Sequence, residues 1–376
     1  MGFYDFACKY ADMKWPRAAA TTRRSMADAL TAVAPVLLDS RAAKPEDKLI
    51  REALWGWGFN TTQRASAPED IAAALAWVQR NSKPLASLSE PKTIRAALDA
   101  VGSKLDGKPA AASYMRRRRA VLWNLLDYAV ELGELPVNPI TTIKWSAPSY
   151  TGKIVDPATV VNPEQASALL ATVGLRPGSG PRLMAFYACM YYAGLRPAEA
   201  AELRRENPHL PAEGRGKIYI DDSTPYVGKE WTDDGEDRDH RQLKHRQVGE
   251  GRWVPRPPRL TAILYKHLAT FGTDAEGRLF SSQRGGPMPA ITYRLVWKAA
   301  CETVFGVEAA KTSLLAKRPY DLRHAAVSTW LSGGVEPKRV ADWAGHSPEI
   351  LMKVYAKVLD GGEDAALDKI DVVLGT

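Results

Sequence analysis

The stretch Ala344-Gly345-His346-Ser347-Pro348-Glu349-Ile350-Leu351-Met352-Lys353-Val354-Tyr355 reads as a helix stop, a turn and a new helix start. Gly345 suits the end of one helix, and Ser347 and Pro348 suit the cap and first position of the next, so helices are expected over Pro337–Ala344 and Pro348–Leu359. The second helix carries Tyr355 on its second turn and returns it toward His346, nine residues earlier. A tyrosine spaced four residues after Leu351 and three before Val358 is, on periodicity alone, ordinary core. The preceding Gly-His singles this one out; Tyr191, Tyr192 and Tyr293 lack it and read as packing residues.

Two arginines lie upstream in comparable settings. Arg196 sits in Gly194-Leu195-Arg196-Pro197-Ala198-Glu199, where Gly194 closes an apolar helix over Leu183–Ala193 and Pro197 opens the next. Glu199 is placed to orient that guanidinium. Arg323 sits in Tyr320-Asp321-Leu322-Arg323-His324, at the start of an expected helix over Asp321–Ser332, where free N–H groups attract anions. Two guanidiniums can hold the non-bridging oxygens of a phosphodiester, a histidine can add a donor, and a tyrosine hydroxyl can attack the phosphorus.

In order and spacing these boxes resemble the tyrosine recombinase (phage integrase) family. Its signature is an Arg in a G-L-R-x-x-E turn, an H-x-x-R element, and a G-H followed nine residues on by the nucleophilic Tyr. The resemblance runs from Val155 to Leu359. It implies Arg196, Arg323 and His346 as charge-stabilising residues, Tyr355 as the nucleophile and Glu199 in support. The family also uses a lysine on a β-hairpin to protonate the leaving 5′ oxygen. Lys244, ahead of Trp253-Val254-Pro255, is the matching position, and Lys229 is the alternative across Asp221–Asp239, an acidic stretch that reads as an insertion in the hairpin. One position departs from the pattern. Tyr320 stands where the family has a His three residues before the second arginine, and with an ordinary pKa of roughly 10 it is the poorer proton acceptor.

The activity the resemblance implies is site-specific DNA recombination through a 3′-phosphotyrosyl intermediate, with no cofactor and no metal, in the integration or excision of a mobile element. A chromosome- or plasmid-resolving recombinase would use the same residues. From another class comes a non-catalytic DNA-binding relic, with Tyr320 as its first sign of decay. The implied partners are double-stranded DNA attachment sites, further copies of the chain in a homotetramer on DNA, and an accessory directionality factor.

Composition agrees with a polyanionic partner: 51 Lys plus Arg against 43 Asp plus Glu give a formal charge of +8 and a sequence pI near 9.2. Cys8, Cys189 and Cys301 are widely separated and suit neither a disulfide framework nor a Cys-based zinc site. No apolar run approaches about 18 residues and the N-terminus has no signal-like segment, so a soluble, cytoplasmic protein is expected. His240 and His245 do not share a helical face and no Cys accompanies them, so no metal site is expected.

The 376 residues allow two domains, mostly α with one small antiparallel sheet. Residues 1–145 show helical periodicity over Thr22–Leu38, Pro68–Gln79, Pro91–Val101 and Ala111–Leu132, and resemble the family's helical core-binding domain. Residues 146–157 read as a linker, and 158–376 as an α+β catalytic domain opened by Asn162 as N-cap and Pro163 as the first helical residue. Short strands are expected at Lys217–Asp221 and Arg252–Pro255, and further helices at Leu260–Phe271 and Ile291–Phe305. Arg23 and Arg24, with Arg116, Arg117 and Arg119 of the Arg116–Arg119 run, are the candidate DNA contacts. That run exceeds one helical turn, so at least one member should flank the apolar stripe instead. The tail bearing Leu359, Leu367, Ile370 and Val372 is expected to dock on a neighbouring subunit.

Overall fold

Helices dominate, and the apolar stripes visible in the sequence are the faces they bury. A computed structural model describes residues 1–39, 44–104, 108–145, 154–208, 213–223, 225–239, 241–242, 250–357 and 363–374. They fall into two compact units: residues 1–150 with 226–239, and residues 151–225 with 240–376.

The first unit is built from α1 (Phe3–Lys14), α2 (Ala20–Val33), α3 (Asp47–Ala53), α4 (Glu69–Arg80), α5 (Pro91–Val101) and α6 (Ala112–Glu131). Met115, Leu122, Leu125, Leu126 and Ala129 form the buried stripe of α6 and share one core with Phe6, Leu30 and Leu98. Burial of each large apolar side chain contributes about 1.5–3 kcal/mol. Arg118 interrupts the stripe at little cost, because it is ion-paired to Asp28 at 2.9 Å and stacked on the Tyr114 ring. One member of the arginine run therefore flanks the core, as its length requires.

Residues 226–239 lie in sequence between strands of the second unit, yet they pack in the first. Trp231 is fully buried there, its ring 5.2 Å from Trp55 and 6.1 Å from Trp15 between centroids. Asn60 donates to the Glu230 carbonyl at 2.8 Å, Arg24 donates to the Val227 carbonyl at 3.1 Å, and Asp239 accepts from the first N–H of α2. The acidity of this stretch is thus partly structural: Asp233 takes both terminal nitrogens of Arg23, at 2.7 and 3.0 Å. This corrects the expectation that Arg23 contacts DNA. Arg23 is 3% exposed, lies over the Trp15 ring and also bonds the Trp15 and Trp231 carbonyls, so its guanidinium is committed to the fold. Arg24, Arg116 and Arg117 are exposed, and Arg119 is half-buried against the rings of Trp123 and Trp145.

The second unit begins with α7 (Pro163–Leu175), where Asn162 and Gln165 exchange side-chain and backbone hydrogen bonds in a complete capping box. There follow α8 (Gly180–Tyr192), α9 (Pro197–Glu202), β1 (Gly216–Ile220), β2 (Asp222–Ser223), β3 (Arg241–Gln242), β4 (Arg252–Arg256), α10 (Pro258–Phe271), α11 (Ala290–Phe305) and α12 (Val307–Thr312). The chain closes with α13 (Asp321–Ser332), α14 (Pro337–Ala344), α15 (Pro348–Val354) and α16 (Glu363–Leu374). The strands form two antiparallel ladders, β1 with β4 and β2 with β3. Ile218 and Val254 are opposite each other on the core face of the first, and alternation puts Arg252 and Arg256 on that buried face too. Helix α8 is buried nearly all round, with Phe186, Tyr187, Cys189 and Met190 in the core.

Helix boundaries differ from expectation at α2, which ends at Val33 with a 3-10 turn over Ala34–Leu37 in place of its expected last turn, and at α15. Helix α15 ends at Val354, short of Leu359, with a bend at Tyr355 before helical geometry resumes at residues 356–357, and the Val354 carbonyl accepts the Val155 N–H at 2.7 Å. Tyr355 is consequently the residue just past the helix end. Among the described residues no helix is long and apolar enough to cross a membrane.

Candidate active site

Three chain segments of the second unit converge on one carboxylate. Gly194, at φ +60°, turns the chain out of α8 and leaves Arg196 at the start of α9, with Glu199 one turn on. Glu199 accepts from the Arg196 N–H at 2.8 Å and from Arg196 Nη1 at 2.7 Å. From β4, Arg252 Nη2 donates at 2.7 Å to Oε2, the carboxylate oxygen that also takes the Arg196 backbone N–H, while its Nε holds the Trp343 carbonyl at 2.9 Å. From α13, Arg323 Nη1 lies 3.9 Å from Glu199.

Arg323 and Glu199 are almost wholly buried. Arg323 donates to the carbonyls of Gly194 and Ala344, the helix-ending residues of the two arginine- and histidine-bearing turns, and to His346 Nε2 at 3.1 Å. Arg196 Nη2 donates to the Gly345 carbonyl at 2.9 Å. Gly345 has φ +62°, and a Cβ there would sit 3.3 Å from Arg252 and 3.4 Å from Arg196, so both conformation and space call for glycine. Ser347 caps α15 by accepting from the Ile350 N–H.

The electrostatics follow from this crowding. Burial opposes charge on Glu199, but Arg252, Arg196 and Arg323 together hold its carboxyl well below the usual range. Burial, reinforced by Arg196, pushes Arg323 down to about 10, so it remains a cation at neutral pH. Burial and the Arg323 charge push His346 down to about 3, so its imidazole is neutral. The cluster therefore sets three positive charges against one negative. With Nε2 accepting from Arg323, the His346 proton resides on Nδ1, and both Nδ1 and Arg323 Nε are buried without a hydrogen-bond partner among the described residues. Buried N–H donors of this kind invite an anionic acceptor.

Tyr355 lies against this cluster, fully buried, its ring stacked on His346 with centroids 6.4 Å apart. Its hydroxyl is within hydrogen-bond distance of His324 Nδ1, at 2.9 Å, and burial raises its pKa. Arg196, Glu199, Arg323, His346 and Tyr355 are thus brought together, with Tyr320 beside them: its ring meets His324 edge-on at 5.1 Å and it supports the charge on Arg196. Lys244 lies outside the described residues, as do His240 and His245. Lys229 is exposed on the segment that packs in the first unit, and not on either ladder.

Two residues of the site escaped the sequence reading. Arg252 precedes the Trp253-Val254-Pro255 strand, and its alternation with Val254 was the available signal for an inward face. His324 carried no signal beyond its place next to Arg323.

No protein-family model matches the chain, and no curated protein matches it. Solved structures do. The integrase of transposon Tn1549, in complex with transposon right end DNA, superposes with a TM-score of 0.59 at 14% identity over 86% of this chain and 98% of that one. XerH site-specific recombinase bound to a palindromic difH substrate gives 0.53 at 12% identity over 92% and 95%. A lambda integrase dimer bound to a core site gives 0.53 at 14% identity over 92% and 74%. The chain has the fold of the tyrosine recombinases. Within that tyrosine recombinase fold the converging arginines, histidine and tyrosine sit in the segments from which the sequence resemblance was read.

Proposed function

We propose that this protein is a site-specific DNA recombinase, an integrase of a mobile element that cleaves and rejoins duplex DNA through a 3′-phosphotyrosyl intermediate. The observation that carries this reading is the excess of positive charge around Arg323 and His346 beside the Tyr355 hydroxyl. A phosphodiester brings one negative charge, whereas the pentavalent centre formed on attack spreads two over its non-bridging oxygens. Three guanidiniums with one acid complement the second better than the first, which is the condition for lowering a barrier.

Tyr355 attacks the phosphorus, the bond to the 5′ oxygen breaks, and Lys244 supplies the proton that the leaving oxygen takes. The phosphotyrosyl bond retains the free energy of the phosphodiester, so a 5′ hydroxyl from a second duplex can reverse the step and exchange strands. Arg24, Arg116, Arg117 and Arg119 contribute DNA backbone contacts. Recombination between two duplexes needs four nucleophiles, hence a homotetramer, and the exposed Leu367, Ile370 and Val372 of α16 suit docking on a neighbouring copy.

The test is covalent capture. Nicked duplexes with a randomised core, together with DNA from the ends of the element carrying the source gene, are incubated with the protein and adducts are isolated. A recurrent sequence joined to protein through its 3′ phosphate supports the reading; no adduct from any DNA in the pool refutes it.

A further inference from the structure

The sequence places Tyr320 where the resemblance asks for a histidine, which leaves the nucleophile without its expected proton acceptor. The structure supplies another. His324 lies four residues farther along, on the same face of α13 as Tyr320, and its Nδ1 is 2.9 Å from the Tyr355 hydroxyl. We propose that His324 is a catalytic residue of this site, the general base that takes the Tyr355 proton as the hydroxyl attacks.

This rests on the recombinase reading. Three observations favour His324 over its neighbours. His346 also touches the Tyr355 ring, but its Nε2 is occupied by Arg323, and burial together with the arginines around it suppresses its basicity. Tyr320 contacts the His324 ring and supports Arg196, and a phenol holds its proton at neutral pH. His324 is half-buried, so a proton it receives can be shared with solvent, and imidazole is the side chain suited to accept one near neutral pH. The step balances. The Tyr355 oxygen–phosphorus bond forms, the bond to the 5′ oxygen breaks, the phenolic proton moves to His324 Nδ1, and the leaving oxygen takes a proton from Lys244. In the rejoining step the incoming 5′ hydroxyl returns its proton to the lysine and His324 returns its own to Tyr355.

The experiment measures adduct formation on the captured nicked duplex as a function of pH. His324's neighbours include Tyr355, Tyr320 and His346; Tyr355, whose pKa burial raises, and His346, held near 3, do not change charge between about pH 5 and 8. Wild-type protein should show a rate that rises with pH and levels off inside that window. His324→Asn keeps a hydrogen-bond acceptor near the Nδ1 position but not its basicity, and should lose roughly 10²–10⁴-fold in adduct rate with DNA affinity unchanged. Added imidazole should restore part of the rate to His324→Ala. A His324→Asn rate equal to wild type, a loss explained by weaker DNA binding, or a wild-type profile without a break in the window overturns the assignment while leaving the recombinase reading intact. Absence of any wild-type adduct instead sinks the recombinase reading itself. The wild-type profile decides the matter even if both variants fail to fold.

Discussion

Arg252 and Glu199 form a 2.7 Å ion pair in which both side chains are at most 2% exposed. The pair joins β4 to α9 and anchors the carboxylate on which Arg196 and Arg323 also converge. Removing one partner of a buried pair leaves the other uncompensated, at a cost of about 3–5 kcal/mol. Arg252→Met should lower stability by that order in urea denaturation and also reduce adduct formation. A variant with an unchanged unfolding midpoint would show that the pair is not a structural link.

The acid side of the stability curve follows from His346. Its folded value is about 3, against an ordinary value near 6.5, so between those limits the unfolded chain binds a proton that the native chain does not. Stability therefore falls as pH drops through this window, and the penalty is absent above it. Glu199 acts in the same direction at lower pH: its carboxyl is held below the usual range, so its contribution is present above that range and is lost as pH falls through the folded value. Between pH 5 and 6.5, where His346 of the unfolded chain takes up its proton and Glu199 stays charged, His346→Gln should flatten the dependence of stability on pH. Parallel slopes for variant and wild type in urea melts would contradict the buried neutral imidazole.

The segment 226–239 should behave as part of the first unit. Trp231→Ala empties a site lined by Trp15 and Trp55 and should cost about 3–5 kcal/mol. Asp233 is 78% exposed, so Asp233→Asn removes little packing and tests the Arg23 ion pair alone. Hydrogen exchange should then rise in α2 and at Trp15 and not in α8. Exchange confined to residues 226–239 would mean the segment rests on the unit without supporting it.

Much of this architecture was legible because it is local. Asn162 with Pro163, Gly345 with Ser347 and Pro348, and the stripe from Met115 to Ala129 specify caps and a buried face within a turn or two of chain. Glu199 was readable because it is one helical turn from Arg196. What could not be read depends on distant pairing. Arg252 meets Glu199 only through the register of β1 and β4, His324 meets Tyr355 across 31 residues, and Arg23 meets Asp233 across 210. The Arg23 case shows how composition misleads: an arginine at a helix start next to another looks like a phosphate ligand until an acidic insertion claims it.

DNA affinity should separate the exposed arginines from the buried ones. Arg116→Ala and Arg117→Ala should each weaken binding to all sequences and reduce the salt slope by about one unit for every phosphate that is no longer neutralised. Gel-shift titrations over a salt series measure this. Unchanged slopes for both variants would remove the arginine run from the DNA interface.

The central claim, that Tyr355 is the nucleophile, is tested most directly by mass spectrometry of the peptide left on captured DNA, with Tyr355→Phe as the paired variant. Removing the hydroxyl leaves the ring stacked on His346 and the arginine cluster intact, so DNA binding should persist. The account predicts a DNA-linked peptide containing Tyr355 in the wild type and no covalent complex in Tyr355→Phe. A covalent complex formed by Tyr355→Phe, or DNA attached to any other residue in the wild type, would contradict it.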